Sequence, residues 1–553
     1  MIDATLQPPG FTRGPLRHEL LACAVAAALV ASLLAWAGPP GSDFAAHVYQ
    51  RALFLEHGYS LWNNFWYAGR YNFVTYSIMY YPLAALLGIR PLAVASVAIG
   101  AFAFAGVVLR EWGPTGRWSS RAFAAVWPGI ILAAAFPFAL GAAFALLALW
   151  ALQVRSLWRF SALALLTFAA SPLAFLLLVL FILGVAAAKR VRGSALVVPA
   201  LALGAIAALA LVLWRLFPDA GRYPFTATDL GIVCFFSAAG AALTLRVARA
   251  RVLGMILLVY GLACVGVYLA PFEVGSNIIR LQYVAFPLAV LVVSLRSWRP
   301  LPICVAFVVL ATVWNATPLA RSVAQGVSNP AASESYWAPA ILFLRAHLTP
   351  SYRVEAVDTT GHWPALYLAA ARIPLARGWF RQEDFPVNRI LYGPLTPSRY
   401  RFWLRGLGVR FVVLGSATPD YSSQSEAELL RSGHSGLEVV LQTRELTIFS
   451  VPSPSGIVVG PGPARVEKLS QTRVTLYFAR HGSYRLAVRY SPYWQPSAGC
   501  LLPRRDGMTE ITAPGSGRIV LSIDVDAERA WRTLLGRAGP ACGETYSTLR
   551  TPQ

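Results

Sequence analysis

Asp43 and His47 stand four residues apart in GSDFAAHVYQ (41–50), and at helical spacing they share a stripe with Gln50. An acid and an imidazole one turn apart can work in two ways. They can hydrogen-bond, so that the histidine orients the carboxylate, or they can join around a divalent cation. Two ligands alone make a poor metal site, which favours the hydrogen bond. A second group follows closely. Trp62, Asn63, Asn64, Phe65, Trp66, Tyr67, Arg70 and Tyr71, then Tyr76, Tyr80 and Tyr81, make an aromatic and amide-rich stretch. A membrane-interface belt accounts for some of these rings. It does not account for so many beside two Asn and an Arg, whereas ring faces and amides suit the CH faces and hydroxyls of a sugar. Further on, GHWPALY carries His362 and Trp363, for which loop packing and contact with a sugar acceptor are the two readings.

The elements around Asp43 follow from local signals. Ser42, after GPPG, suits a helix cap, so Asp43 falls among the first residues, where an acid interacts favourably with the helix dipole. Phe44, Val48 and Leu55 form a stripe of their own, which predicts an amphipathic helix at a membrane surface.

Composition explains why a membrane is invoked. The chain is 57% hydrophobic and 13% charged, and the charges avoid long windows. Up to Leu319 there are 21 Lys+Arg and 8 Asp+Glu; from Ala320 on there are 26 and 17, so the character changes there. Hydropathy predicts about eleven spans, at 19–37, 91–109, 122–136, 138–153, 160–171, 172–188, 194–215, 229–246, 252–270, 281–296 and 301–319. Pro128, Pro137 and Pro172 make the middle ones short. With the N-terminus cytoplasmic, alternate loops carry Arg13 and Arg17, Arg110 to Arg121, Arg155 and Arg159, Lys189 to Arg192, Arg246 to Arg251, and Arg296 with Arg299. Every cytoplasmic loop is then basic, and residues 320–553 lie outside. Cleavage of the first run as a signal peptide, after Ala35-Trp36-Ala37, is the alternative for that segment and leaves Asp43 on the same side. The formal charge of +22 is thus a matter of topology, not of nucleic-acid binding.

The expected organisation is a multi-span α-helical membrane domain over 1–319, with its first external loop at 38–90. An exported α/β unit follows at 320–450, with strands at 352–358 and 409–415 and a short helix at 424–431. A Pro/Gly/Ser-rich linker occupies 451–464, and alternating strands over 465–553 predict a small β-sandwich. Cys500 and Cys542, the two cysteines of the exported part, suit a disulfide in that compartment.

The span followed at once by Asp43, the D-x-x-x-H spacing to His47, W-x-x-x-W-Y-x-G at 62–69 and YYPLAALLG at 80–88 together resemble the GT-C glycosyltransferase superfamily. Within it, the likeness is to the membrane proteins labelled 6-pyruvoyl-tetrahydropterin-synthase-related. The resemblance implies a GT-C-like fold, localisation in the cell (inner or plasma) membrane, and transfer of a sugar from a polyprenyl-phosphate donor to an extracytoplasmic glycan, lipid or protein acceptor with inversion. It implies that Asp43 is the general base toward the acceptor hydroxyl. The departing phosphate then needs positive charge. Arg280 in GSNIIRLQY stands where the charge rule asks for none, and Arg70 and Arg222 are the alternatives. No cofactor is required on this reading, and a divalent cation is left open. Two other classes stay open: a transporter or flippase, and a non-catalytic scaffold or glycan-binding protein with the same shell.

Overall fold

The computed structural model describes residues 13–189, 197–218, 221–270, 273–537 and 539–543. Arg190 and Arg192, counted above in a basic loop, lie outside them. By compactness the chain forms two units: Met1–Phe44, Tyr76–Leu211 and Arg222–Val327 make the first, and Ala45–Thr75, Val212–Gly221 and Ser328–Gln553 the second.

The regular structure of the first unit is helical among the described residues. Among the described residues, nine helices are long and apolar enough to cross a membrane: Leu16–Ala37, Ile89–Ala133, Phe136–Gln153, Pro172–Lys189, Val197–Leu216, Ala227–Thr244, Ala248–Leu269, Gly275–Leu295 and Leu301–Gly326. That is fewer than the eleven the hydropathy suggests, for a physical reason. Pro128 interrupts the run at 122–136, where helix Arg117–Val126 passes through a 3-10 turn at Trp127–Gly129 into the single turn Ile130–Ala133. The segment at 160–171 is the helix Leu157–Ala170, which stops before Ser171, the extended residue preceding Pro172, and is shorter than a usual span. Small residues let these helices approach. A Cβ on Gly184 would lie 2.6 Å from Ile256 Cα, so helix Pro172–Lys189 can meet Arg251–Leu269 only with glycine there.

The second unit holds the sheets. Arg353–Ala356 pairs in parallel with Val409–Gly415, which pairs antiparallel with Leu446–Ser450, and Glu438–Gln442 completes this sheet. A five-stranded and a four-stranded antiparallel sheet follow, enclosing Leu476, Phe478, Tyr484, Trp494, Ile511 and Leu521. Trp62 and Tyr71 belong to that same core, because residues 45–75 pack in this unit. Segment 451–464 is pinned rather than loose: Val458–Val459 is a strand on Gly482–Arg489, and Ile457 is fully buried. The stripes of helix Phe44–His57 are also used differently from the expectation. His47 and Gln50 are buried while Leu55 is 57% exposed, so the polar stripe faces protein.

Cys500 and Cys542 face each other across strands Cys500–Pro503 and Ala541–Cys542 and form a disulfide closing a separation of 42 residues. Reduction, or Cys500→Ser with Cys542→Ser, is expected to destabilise this sandwich by ~2–4 kcal/mol. Thermal unfolding with and without reductant checks it.

Candidate functional site

Asp43 sits half-buried in the turn that closes the first helix and opens the next. The turn is held by three bonds: Phe44 N donates to Gly41 O (3.0 Å), Ser42 N donates to Leu132 O (3.3 Å), and Ser42 Oγ lies 3.2 Å from Ser322 Oγ of helix Leu301–Gly326. The Ser42 hydroxyl therefore engages another helix. Phe44 packs edge-on to Phe136 at 6.3 Å.

Arg280 lies in the 3-10 stretch Gly275–Val284, which Tyr260 fastens by donating to Ile278 O at 2.9 Å. Its Nη2 donates to Asn277 Oδ1 (3.1 Å), and its guanidinium stands 5.2 Å from the centre of the Phe138 ring. It also borders an apolar cavity of about 90 Å³ walled by Phe104, Phe123, Trp127 and Phe138. Asp43 and Arg280 meet electrostatically at Tyr76. Burial pushes that hydroxyl's pKa up, Arg280 opposes the shift and Asp43 adds to it. The Tyr76 phenol thus feels a carboxylate and a guanidinium of opposite effect, and the guanidinium borders an apolar recess. A carboxylate can accept a proton, and a guanidinium can hold an anion.

The other residues singled out in the sequence are distributed as follows. Arg222 is exposed, on a segment whose Pro224 carbonyl accepts from Ser276 N (3.2 Å), so it borders the turn that carries Arg280. Tyr80 and Tyr81 are buried at the start of helix Tyr80–Leu87, with Tyr80 stacked on Phe136 at 6.4 Å. In the second unit His47 is buried edge-on against Trp379 (5.6 Å). Arg70 is buried, pairs with Glu383 at 2.7 Å and lies 3.9 Å from the Phe380 ring centre. The amide-rich stretch is saturated by protein. Trp62 Nε1 donates to Asn64 Oδ1 (2.8 Å), Asn64 Nδ2 to Ser470 O (2.9 Å), Asn63 Nδ2 to Tyr49 Oη (3.3 Å), Trp66 Nε1 to Ala365 O (3.1 Å) and Tyr67 Oη to Phe380 O (2.9 Å). These side chains hold the segment in the second unit's core. Trp363 is buried and stacks on Tyr367 at 6.0 Å.

No family model matches the chain, and no curated protein matches it. Among solved structures it is similar to the mycobacterial arabinofuranosyltransferase AftD, seen by single-particle cryo-electron microscopy. The identity is 16% and the TM-score 0.44, over 79% of this chain and 40% of that one. The chain therefore spans less than half the length of the structure it matches.

His362 belongs to a buried ionic network that sequence spacing does not reveal. Arg377 pairs with Asp384 at 2.7 Å, with Glu426 at 3.5 Å and with Glu355 at 3.7 Å. Arg381 hydrogen-bonds Asp358, whose other carboxylate contact is His362 Nδ1 at 2.6 Å. Asp358, His362 and Asp420 have the spacing to hold a metal ion. The Arg381 guanidinium already stands among them, 3.3 Å from Asp420 Oδ2 and 3.0 Å from His362 Nδ1. Burial works against a charged imidazole at His362, but Asp358 outweighs it and raises the pKa. At Asp384 burial pushes up and Arg377 wins, so the carboxyl is held well below the usual range.

Glu426 goes the other way. Burial pushes it up to about 7, with Arg377 and the bond donated by Tyr400 Oη (2.6 Å) opposing. The folded chain keeps this proton where the unfolded one, at about 4.3, loses it. Stability from this group is complete below about pH 4.3 and is lost as pH rises through about 7. Glu426→Gln should therefore lessen the fall in thermal midpoint over that interval. Unfolding of wild type and variant across the same pH series measures it, and identical slopes would contradict it.

Proposed function

We propose that this protein is a GT-C-type glycosyltransferase of the cell membrane, moving a sugar from a polyprenyl-phosphate donor to an acceptor outside the cytoplasm. Asp43 is the general base toward the acceptor hydroxyl, and Arg280 holds the donor phosphate and stabilises it as it leaves. The observation that carries this reading is Arg280 bordering an aromatic-walled apolar cavity, and the opposed electrostatic effects of Arg280 and Asp43 on Tyr76 support it. An isoprenoid phosphate needs that combination, since its chain wants hydrocarbon and its head wants a fixed cation. Arg222 is the second cation at hand. Arg70 and the stretch around Trp62 to Tyr67, buried and bonded to protein, hold their own segment in the second unit.

Topology belongs to the same proposal. Trp112, Gln153 and Lys189, at the C-terminal ends of three helices, line one cavity together with Pro199 and Val252, near the start of two others. The chain must return between those ends, so 117–133 and 157–170 serve as the short tenth and eleventh traverses. Residues 328–553 then lie outside the cytoplasm. A cysteine at exposed Ser516 is expected to react with an impermeant reagent on intact cells, and one at exposed Arg159 only after permeabilisation. Equal reaction at both would contradict this arrangement. The function is tested by comparing extracytoplasmic glycans of cells with and without the gene. Loss of one sugar linkage is expected; unchanged glycans would overturn the reading.

A further inference from the structure

Helix Ala527–Leu534 is set by local signals. Asp526 caps it, its carboxylate accepting from Arg529 N at 2.7 Å, and Gly536 ends it in the left-handed conformation at φ 68°. At ~100° per residue Ala527, Ala530, Trp531, Leu534 and Leu535 fall on one face, and Glu528, Arg529, Arg532 and Thr533 on the other. The charges are matched within the protein. Arg529 pairs with Asp526 at 3.3 Å and donates through Nη1 to Trp494 O at 3.1 Å, and Arg532 pairs with Glu528. The apolar face stands open among the described residues. No residue of this helix is buried, and Trp531 is 61% exposed and Leu535 47%.

Single apolar side chains on a surface are ordinary and mean little alone. Their position decides here. Helix Val197–Leu216 is long and apolar enough to cross a membrane, and its last turn, with Trp214, belongs to the second unit. Phe217, the next residue, is buried in the sandwich core with its ring 5.6 Å from that of Tyr493, and Tyr493 Oη donates to Leu216 O at 3.0 Å. The sandwich is therefore fastened directly to the end of a span, and this edge of it stays at the membrane boundary. Helix Ala527–Leu534 lies at the same edge. A cavity of about 360 Å³ is lined by Trp214, Arg215 and Pro218 together with Thr533 and Gly536, and a Cβ on Gly536 would stand 3.7 Å from Arg215 Nη2. Trp214 is itself 51% exposed. Two exposed tryptophans, one in the last turn of a span and one on the helix beside it, stand where indole rings settle between head groups and acyl chains.

We propose that helix Ala527–Leu534 lies in the membrane–water interface, with Trp531 and Leu535 seated in the bilayer where the span Val197–Leu216 ends. Lipid is the occupant of this face because the adjoining span end already brings it there. The ion pairs of the helix are internal, so the attachment is apolar and needs no particular head group. The second unit is then held at the surface by two attachments, the span end and this helix. The inference is independent of the proposed glycosyl transfer.

The test uses the full-length protein with Cys234→Ala, reconstituted in phosphatidylcholine vesicles and carrying a nitroxide at Leu535→Cys, at Trp531→Cys or, as the aqueous reference, at exposed Ser516→Cys. Cys23, Cys264 and Cys304 are buried and stay unlabelled. Relaxation of each label by oxygen, which concentrates in lipid, is compared with relaxation by a water-soluble nickel chelate. Oxygen is expected to dominate at 535 and 531, at a depth of roughly 5–10 Å, and nickel at 516. Dominance of nickel at either helix position would overturn the proposal. Exclusion of both reagents from either position would overturn it as well, because protein, either a second copy or residues 544–553, would then cover the face.

Discussion

Asp43→Asn is expected to lower sugar transfer by roughly 10²–10⁴ while the protein still inserts and folds. Asparagine keeps the size of the side chain and its ability to hydrogen-bond in the turn, and it removes only the proton acceptor. The surrounding bonds, from Ser42 N to Leu132 O and from Phe44 N to Gly41 O, are main-chain bonds that the substitution leaves alone. Arg280→Ala should impair use of the phosphate-linked donor, and Arg280→Lys should recover only part of the loss, because lysine brings charge without a planar fork. His47→Ala should cost less in turnover than either, since its ring packs on Trp379 in the second unit. The assay is transfer by purified protein, with monodispersity in detergent as the control for folding.

The second large effect concerns stability. Arg377 is 3% exposed and holds Asp384, Glu426 and Glu355 around one guanidinium. Arg377→Met should destabilise the second unit by ~3–5 kcal/mol, because it leaves a buried carboxylate without its counter-charge. Adding Asp384→Leu should restore part of that loss, although it removes a further polar contact. The order of the three thermal midpoints decides the matter: wild type highest, the double variant next and Arg377→Met lowest. A single variant as stable as wild type would show that the network carries no such load.

How far this could be read from the residues depends on the range of the interactions involved. Val409–Gly415 and Gln424–Arg431 coincide with the strand and the helix read at 409–415 and 424–431, because alternation and amphipathic spacing are local signals. Each apolar run is helical for the same reason, and Pro128 and Pro172 mark where regularity fails. The destination of residues 45–75 was not legible. Trp62 meets Trp494 at 5.4 Å and Arg70 meets Glu383, partners hundreds of positions away, and the composition of an interfacial belt matches that of a domain core. The ionic network escaped notice likewise. Glu355, Asp358, Asp384, Asp420 and Glu426 share no short motif, and the sheet and its flanking loops gather them. Pro, Gly and Ser dominate 451–464, and that composition predicts a linker. Its few apolar residues, Ile457 and Val458, decide its packing. Asp43 and Arg280 stand out one by one in the sequence, from a helix start and from an arginine out of place, and their proposed roles await the test below. That both act electrostatically on Tyr76 needs the fold.

The most direct measurement is transfer by the purified, reconstituted protein from a polyprenyl-phosphate donor carrying the sugar that the glycan comparison identifies. The account predicts acceptor-dependent release of polyprenyl phosphate by wild type, with Asp43→Asn reduced by roughly 10²–10⁴. Wild-type transfer with an Asp43→Asn variant of near-normal rate would contradict it.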